Sequence, residues 1–288
     1  MHSLPLVSII TPSYNQGRFI RQTIESVLNQ KYPNIEYIII DGGSSDNTLE
    51  IIKEYESKIK WISEKDNGQS DAINKGFSMA NGEIIAWLNS DDIYLEDAIQ
   101  KAVDFFTVYP DYGLVYGEGY LIDENGNNHG RFPCTQEFDE WTLVHKSDYI
   151  MQPTTFFKKE AFFRVGKLDT NLHWCMDWDL WIKLSKCYPV GYINDYLACS
   201  REYDETKTST GGIKRFKEIV KVMRKYGNYR YPPGYFLYGC ATLLTITKNY
   251  LIVHQIARLI TFFISHLVFS PIPFWKESES AKRFKDEY

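Results

Sequence analysis

Between Leu6 and Asp92 the chain repeats one pattern: a short continuous apolar run, a polar turn, then a segment with apolar residues at helical spacing. The runs cover residues 7–11, 35–40, 59–63 and 84–88. They do not alternate apolar with polar, so both faces of each strand need cover, which is the condition of a parallel sheet flanked by helices. Between them Phe19, Ile20, Ile24, Val27 and Leu28 form one helical stripe. Leu49, Ile51, Ile52 and Tyr55 form a second, and Ala72, Ile73, Gly76, Phe77 and Ala80 a third. The expected fold is α/β, with a Rossmann-like, mostly parallel sheet in the first half.

That architecture restricts where a site can lie, because open parallel sheets bind ligands beyond the carboxyl ends of their strands. The segments there are Thr11-Pro12-Ser13-Tyr14, Asp41-Gly42-Gly43-Ser44, Glu64-Lys65-Asp66-Asn67-Gly68 and Asn89-Ser90-Asp91-Asp92. Three of them bring carboxylates to one edge, where they repel one another unless a cation or hydrogen-bond donors answer them. Mg²⁺ or Mn²⁺ needs only one or two protein carboxylates when substrate phosphates supply the remaining oxygens, and Asn89-Ser90-Asp91-Asp92 suits that role. The same turn reads equally as an N-cap for a helix over 95–106. Asp41 suits a base or ribose contact, or an Asx-turn around Gly42-Gly43, and Tyr14 suits stacking on a base. No G-x-G-x-x-G follows the first run, which argues against a dinucleotide enzyme. The glycine-rich basic loop of a sugar nucleotidyltransferase is missing from the same place.

The second half is less regular, with a hairpin expected around Asp123-Glu124-Asn125-Gly126-Asn127, a helix over 177–187 and a strand over 192–200. Met176-Asp177-Trp178-Asp179-Leu180-Trp181 opens that helix with carboxylates at i and i+2, which point in different directions. At most one of Asp177 and Asp179 faces a substrate, as a general base; otherwise both serve the helix N-terminus. Trp178 and Trp181 read as core.

A net charge of -5 gives no basic stripe for a nucleic-acid backbone, so nucleic acid is not an expected partner. Five widely spaced cysteines fit a reducing compartment, and the start Met1-His2-Ser3-Leu4-Pro5 has no signal-peptide pattern, which points to the cytoplasm.

Taken together these pieces resemble the family 2 glycosyltransferases of the GT-A fold. The likeness runs through Val7-Ser8-Ile9-Ile10-Thr11-Pro12-Ser13-Tyr14-Asn15, Ile40-Asp41-Gly42-Gly43-Ser44-Ser45-Asp46 and the stretch from Asp66-Asn67-Gly68 to Lys75-Gly76, then Asn89-Ser90-Asp91-Asp92 and Asp177-Trp178-Asp179-Leu180-Trp181. The resemblance implies a nucleotide-sugar donor, UDP- or dTDP-linked, with Pro12, Tyr14 and Asp41 lining the base pocket. It places Asp66 and Gly68 beside the nucleotide and Asn89 near the ribose. Asp91 would bind Mg²⁺ or Mn²⁺, with Asp92 as second ligand or cap, and Asp177 would be the base of an inverting transfer, Asp179 standing behind it. Asn89 and Met176 replace acidic residues of the family pattern, so the alternative is a catalytically silent nucleotide-sugar-binding or scaffold protein.

The expected organisation is a glycosyltransferase domain over 1–205, split into a nucleotide-sugar half (1–110) and an acceptor half (111–205), with a C-terminal extension over 206–288. Residues 213–226 set Lys214, Arg215, Lys217, Lys221, Arg224 and Lys225 against a stripe of Ile213, Phe216, Ile219, Val220 and Met223. Such a basic amphipathic helix suits an anionic inner membrane leaflet or an ordinary surface helix packed on the domain; the first makes a lipid-linked saccharide the expected acceptor and peripheral attachment the expected mode. The apolar stretch 259–275 contains His266, Pro271 and Pro273 and is marginal for a span.

Overall fold

The computed structural model describes residues 4–269. They fall into two compact units, one formed by Met1–Phe138 with Ile150–Tyr203, the other by Asp139–Tyr149 with Asp204–Tyr288. The segment 139–149, which the sequence reading set within the acceptor half, groups with the C-terminal helices.

The first unit begins β1 (Val7–Ser13), α1 (Ile20–Leu28), β2 (Ile35–Asp41), α2 (Thr48–Glu54), β3 (Lys60–Ser63), α3 (Gln69–Met79) and β4 (Ile84–Trp87). Next come β5 (Ile93–Tyr94), α4 (Ala98–Val108), β6 (Leu114–Ile122) and β7 (Asn128–Arg131). The chain then contributes α5 (Glu140–His145) to the second unit and returns through a 3₁₀ turn (Gln152–Thr154) to β8 (Phe156–Lys158), α6 (Lys159–Arg164), α7 (Met176–Ser185) and β9 (Val190–Arg201). One nine-stranded sheet runs β3-β2-β1-β4-β8-β6-β9-β5, with β7 hydrogen-bonded to β6. The first four are parallel, as the unbroken apolar runs require. Beyond β4 the sheet becomes mixed, because the short β8 enters antiparallel to both β4 and β6.

Each face of the sheet has its own core. On one, Ile9, Ile39, Ala86 and Leu88 pack with Ile20 and Ile24 of α1, Ile51 and Ile52 of α2 and Ile99 and Val103 of α4. On the other, Trp181 of α7 stacks on Trp87 at 5.4 Å, and Phe77, Phe157 and Phe162 meet edge to face or tilted. Glycine is required at Gly76 of α3, where a Cβ would stand 2.4 Å from Ile10 Cγ2. Trp178 and Trp181 are buried, in agreement with the core reading.

Strand β1 explains where the sheet opens. Its ladder with β4 ends as Ile10 pairs with Trp87 and Leu88 N donates to Ile10 O. Ser13 O accepts from Gly42 N on the β2 side, so Pro12, one residue earlier, turns towards β4. Pro12 has no N–H, and there β4 has already left the sheet. The order β2-β1-β4 also reverses at this point, so the gap at Pro12 coincides with the topological switch point.

At the opposite, amino edge, Glu36 of β2 accepts hydrogen bonds from Ser8 Oγ (2.6 Å), Lys60 Nζ (2.7 Å) and Asn81 N and Nδ2 (both 2.7 Å). It thereby joins β1, β2, β3 and the turn before β4. Burial alone would raise this carboxyl, but the bonds from Asn81, Lys60 and Ser8 outweigh it and hold the group down at about 2. A depressed carboxylate stabilises the fold above its unfolded value, roughly 4.3, and that contribution is lost as pH falls towards the folded value. Glu36→Gln should therefore cost about 1–2 kcal/mol near neutral pH, discounted for the exposed Lys60 partner. Urea unfolding of both forms should show the difference shrinking between pH 4.5 and about 2.

The second unit continues with α8 (Lys207–Thr210), α9 (Gly212–Tyr226), α10 (Pro233–Thr247) and α11 (Leu251–Phe269). Among the described residues no helix is long and apolar enough to cross a membrane. The stretch 259–275 lies partly outside the described residues.

Candidate active site

The loops after β1 and β2 are laced together by side chains. Asn15, in the left-handed region at φ 52°, donates its N–H to Ser44 Oγ (2.7 Å) and accepts from Ser45 N at Oδ1 (2.8 Å). Gln16 N donates to Thr48 Oγ1 (2.9 Å) and Gly17 N to Asp46 Oδ2 (3.0 Å). Asp41 is fully buried and accepts from Gly43 N, Ser44 N, Ser44 Oγ and Ser63 Oγ. This is the Asx-turn arrangement, and it makes Asp41 the anchor of the loop. Pro12 is buried below, while Tyr14 projects with 62% of its surface exposed.

The loop after β3 closes on the one after β2. Asp66 Oδ1 accepts from Gly68 N (2.8 Å), and a Cβ on Gly42 would lie 2.7 Å from Asp66 Oδ2. Gly68 sits at φ 106°, a conformation that favours glycine, and starts α3. The next residue, Gln69, donates from Nε2 to Asn89 Oδ1 at 2.8 Å, which links the α3 start to the end of β4.

Asn89 is a junction. Its Nδ2 donates to Asp92 Oδ2 (3.0 Å) and to Gln152 Oε1 (2.9 Å), and Gln152 Nε2 donates to Trp87 O (2.8 Å). Asp91 and Asp92 do not cap the following helix: β5 intervenes, and the N-cap of α4 is Asp97. Asp92 turns inward, 3% exposed, with Oδ1 accepting from Arg201 N (3.0 Å). Asp91 is half-buried, and its Oδ2 accepts from Tyr203 Oη at 2.9 Å.

Arg201 is buried behind this turn. Nε donates to Asp91 O (2.9 Å), Nη1 to Asp123 O and Glu124 O (2.9 and 3.2 Å) and Nη2 to Gln22 Oε1 (2.7 Å), with the guanidinium 4.7 Å from the Phe19 ring. Tyr203 packs on the same ring at 5.1 Å. Burial raises the Asp91 carboxyl despite the Tyr203 hydroxyl and the Arg201 charge. The Asp92 carboxyl is pushed up to about 7, by burial first and by the Asp91 charge second.

A divalent cation fits this donor set. Asp91 is half-buried after β4 with its carboxyl raised by burial, so a cation beside it would favour its charged form. Asp92 accepts from Asn89 Nδ2 and Arg201 N and so braces the turn, while Asp91 is the more exposed of the two acids. Among the described residues no cluster of three or more His, Cys, Asp or Glu is placed to hold a metal, so substrate oxygens would complete the coordination.

The two acids of α7 are separated as their spacing requires. Asp179 is fully buried and pairs with Lys183 Nζ at 3.2 Å, and Lys183 also donates to Lys167 O (2.5 Å). Asp177 is half-buried and accepts from Trp178 N at 2.8 Å. The segment leading into α7 is held by α3, through Asn74 with Leu168 (3.0 and 3.1 Å) and Ser70 Oγ with Leu172 O (3.4 Å). Arg201, Tyr203, Gln69 and Gln152 were given no role by the sequence reading. Arg201 stands 109 residues from Asp92, and no local spacing connects them.

A sheet that is parallel through β3-β2-β1-β4 and mixed beyond, with an acidic turn after β4, is the architecture of a GT-A glycosyltransferase. The sequence model of glycosyl transferase family 2 matches residues 8–166, and the chain belongs to that family. An uncharacterized glycosyltransferase of Rickettsia typhi is 30% identical over 217 residues, covering 72% of this chain and 67% of the relative. Chondroitin synthase of Escherichia coli is 28% identical over 244 residues, covering 80% of this chain; the chain spans only 34% of that longer protein. Among solved structures, Staphylococcus aureus TarS in complex with UDP-GlcNAc superposes with TM-score 0.63 at 14% identity, over 94% of this chain and 76% of the other. A mannosyltransferase from Pyrobaculum calidifontis in complex with GDP-Man and Mn²⁺ gives 0.62 at 18% identity, over 95% and 88%.

The contrast between the two acids is open to measurement. Asp179→Ala leaves Lys183 beside a vacated buried position and should destabilise the fold by about 3 kcal/mol, whereas Asp177→Asn, which keeps the size of a half-buried side chain, should cost less. Thermal unfolding of the two variants checks this, and equal effects would contradict the assignment.

Proposed function

We propose that the chain transfers a sugar, with inversion, from a nucleoside diphosphate sugar to an acceptor hydroxyl. The observation that carries this reading is the convergence of the loops after β1, β2, β3 and β4 on one edge, with Asp91 presented there by Arg201 and Tyr203. Tyr14 offers an exposed ring for the base, over the floor made by Pro12. Asp41 acts by fixing the β2 loop, and Asp66 and Gly68 shape the wall beside the nucleotide. Asn89 keeps the acidic turn in place below the ribose.

Mg²⁺ or Mn²⁺ held by Asp91 would neutralise charge on the diphosphate and ease its departure. Asp177, at the start of α7, accepts the proton of the acceptor hydroxyl. The acceptor oxygen then bonds to the anomeric carbon as the bond to the diphosphate breaks, and a single displacement inverts that carbon. Asp179 supports the helix from inside through Lys183. A UDP- or dTDP-linked donor is favoured by the sequence resemblance, and the TarS complex with UDP-GlcNAc supports the uridine form. The Mn²⁺ in the mannosyltransferase complex supports the cation.

The acceptor in this reading is a lipid-linked saccharide of cell-surface polysaccharide synthesis, used at the inner face of the cell membrane. Support comes from the relationship to chondroitin synthase and from the exposed basic residues of α9. Offering UDP-, dTDP- and GDP-sugars with Mn²⁺ and acceptor extract should give nucleoside diphosphate release that a chelator stops. Asp91→Asn and Asp177→Asn should each lower transfer by roughly 100-fold or more, the latter with donor affinity retained. Absence of chelator-sensitive turnover with every donor would leave the silent binding protein as the reading.

A further inference from the structure

By its sequence α9 suits either a membrane leaflet or packing on its own domain, and the structure buries most of its stripe in protein: Ile219, Val220 and Met223 are buried while Ile213 stays exposed, and a Cβ on Gly234 of α10 would meet Met223 Cε at 2.0 Å. What α9 mainly leaves outside is its charge. A groove of about 610 Å³ along it is lined by Lys217, Lys221, Arg224 and Lys225, with Phe216 and Tyr235 between them.

Helix α11 has the opposite polarity from a helix packed in water. Its inward positions are Ala257 and Thr261, with His254 and Arg258 half-buried, and His254 Nδ1 lies 3.1 Å from Thr247 Oγ1 of α10. From 251 to 263 every exposed position except Gln255 carries a large apolar residue. Ile252, Ile256, Leu259 and Phe263, spaced i, i+4, i+7 and i+11, form one continuous stripe, exposed by 76, 53, 61 and 62%. A helix with its polar groups packed inside and its apolar groups outside matches an apolar solvent rather than water.

We propose that this helical unit seats on an anionic phospholipid bilayer, with the exposed side of α11 lying in the plane of the interface and lipid phosphates held at the basic groove of α9. The inference rests on the membrane part of the proposed function and assigns the inserting element to α11 in place of α9. Two independent features carry it, the inverted helix and the four-cation groove, and a bilayer of anionic lipid satisfies both with one partner. A second copy of the chain would account for the apolar stripe but not for the gathering of Lys217, Lys221 and Arg224 along one groove. In-plane seating follows from the two sides of α11, one an exposed apolar stripe and the other packed inward through Ala257 and Thr261.

The test uses the full chain and sedimentation with vesicles of phosphatidylcholine, alone or mixed with phosphatidylglycerol. Binding should be at least about tenfold tighter to the mixed vesicles. Leu259→Asp with Phe263→Asp should weaken partitioning to both kinds by roughly tenfold or more. Lys217→Glu with Lys221→Glu should remove the phosphatidylglycerol preference alone. Circular dichroism and the melting temperature report folding of each variant without reference to activity, so the outcome is separate from that of the donor assay. In a third variant, Leu259→Trp, brominated acyl chains should quench the new indole, and a Trp placed at Ala257 should be shielded. No sedimentation with mixed vesicles overturns the proposal. So does a lipid-free dimer, seen by light scattering, that Leu259→Asp dissolves, because the stripe would then belong to a second copy.

Discussion

One buried guanidinium holds the working edge of the sheet together. Arg201, at the last position of β9, binds the backbone of Asp91, the hairpin carbonyls of Asp123 and Glu124, Gln22 of α1 and the face of Phe19. Taking a cation out of water is costly unless its surroundings answer it, and here every arm of the fork has an oxygen. Because the β6–β7 hairpin, the acidic turn and α1 all depend on the same charge, none of the three can shift alone. Positional precision at Asp91 is therefore a property of the whole unit, not of the turn that carries it.

Seen beside Arg201, the amide at Asn89 gains a reason. Its Nδ2 gives hydrogen bonds to Asp92 and Gln152 while its Oδ1 takes one from Gln69. A carboxylate in that place could supply no N–H and would add a third negative charge beside two whose carboxyls are already raised by burial. The departure from an acidic pair is consistent with a turn that spends one residue on internal wiring and leaves one acid facing outward.

How much of this was legible in the sequence depends on range. The first four strands and three helices were readable, since each apolar run is local; β1, β2 and β4 are largely buried on both faces, and the edge strand β3, only partly buried, is marked by its place between two helical stripes. The hairpin at Asp123 was readable too, from Asn125, Gly126 at φ 87° and the Asp123 carboxylate that accepts from Asn125 and Asn127. The mixed side of the sheet was not, because β5 and β8 are two and three residues long and owe their existence to partners far away in the chain. In the site, the strand-end rule found the loops, but it could not tell that Asp92 points inward or that Arg201 and Tyr203 stand behind Asp91. The stripe of α9 was visible as a pattern, while its destination was not: amphipathic spacing reports that a face is buried and says nothing about whether protein or lipid buries it.

The lacing of the β1 and β2 loops reaches beyond geometry. Its bonds begin and end within residues 15–48, so this part of the strand edge is assembled from a short, self-contained stretch of chain. The ordering of those loops is met during folding and is not charged again to each donor molecule that binds. The hairpin after β6 and the segment before α7 share none of these bonds. In the proposed function, exchange of those outer segments can alter acceptor preference without disturbing the bonds that lace the β1 and β2 loops.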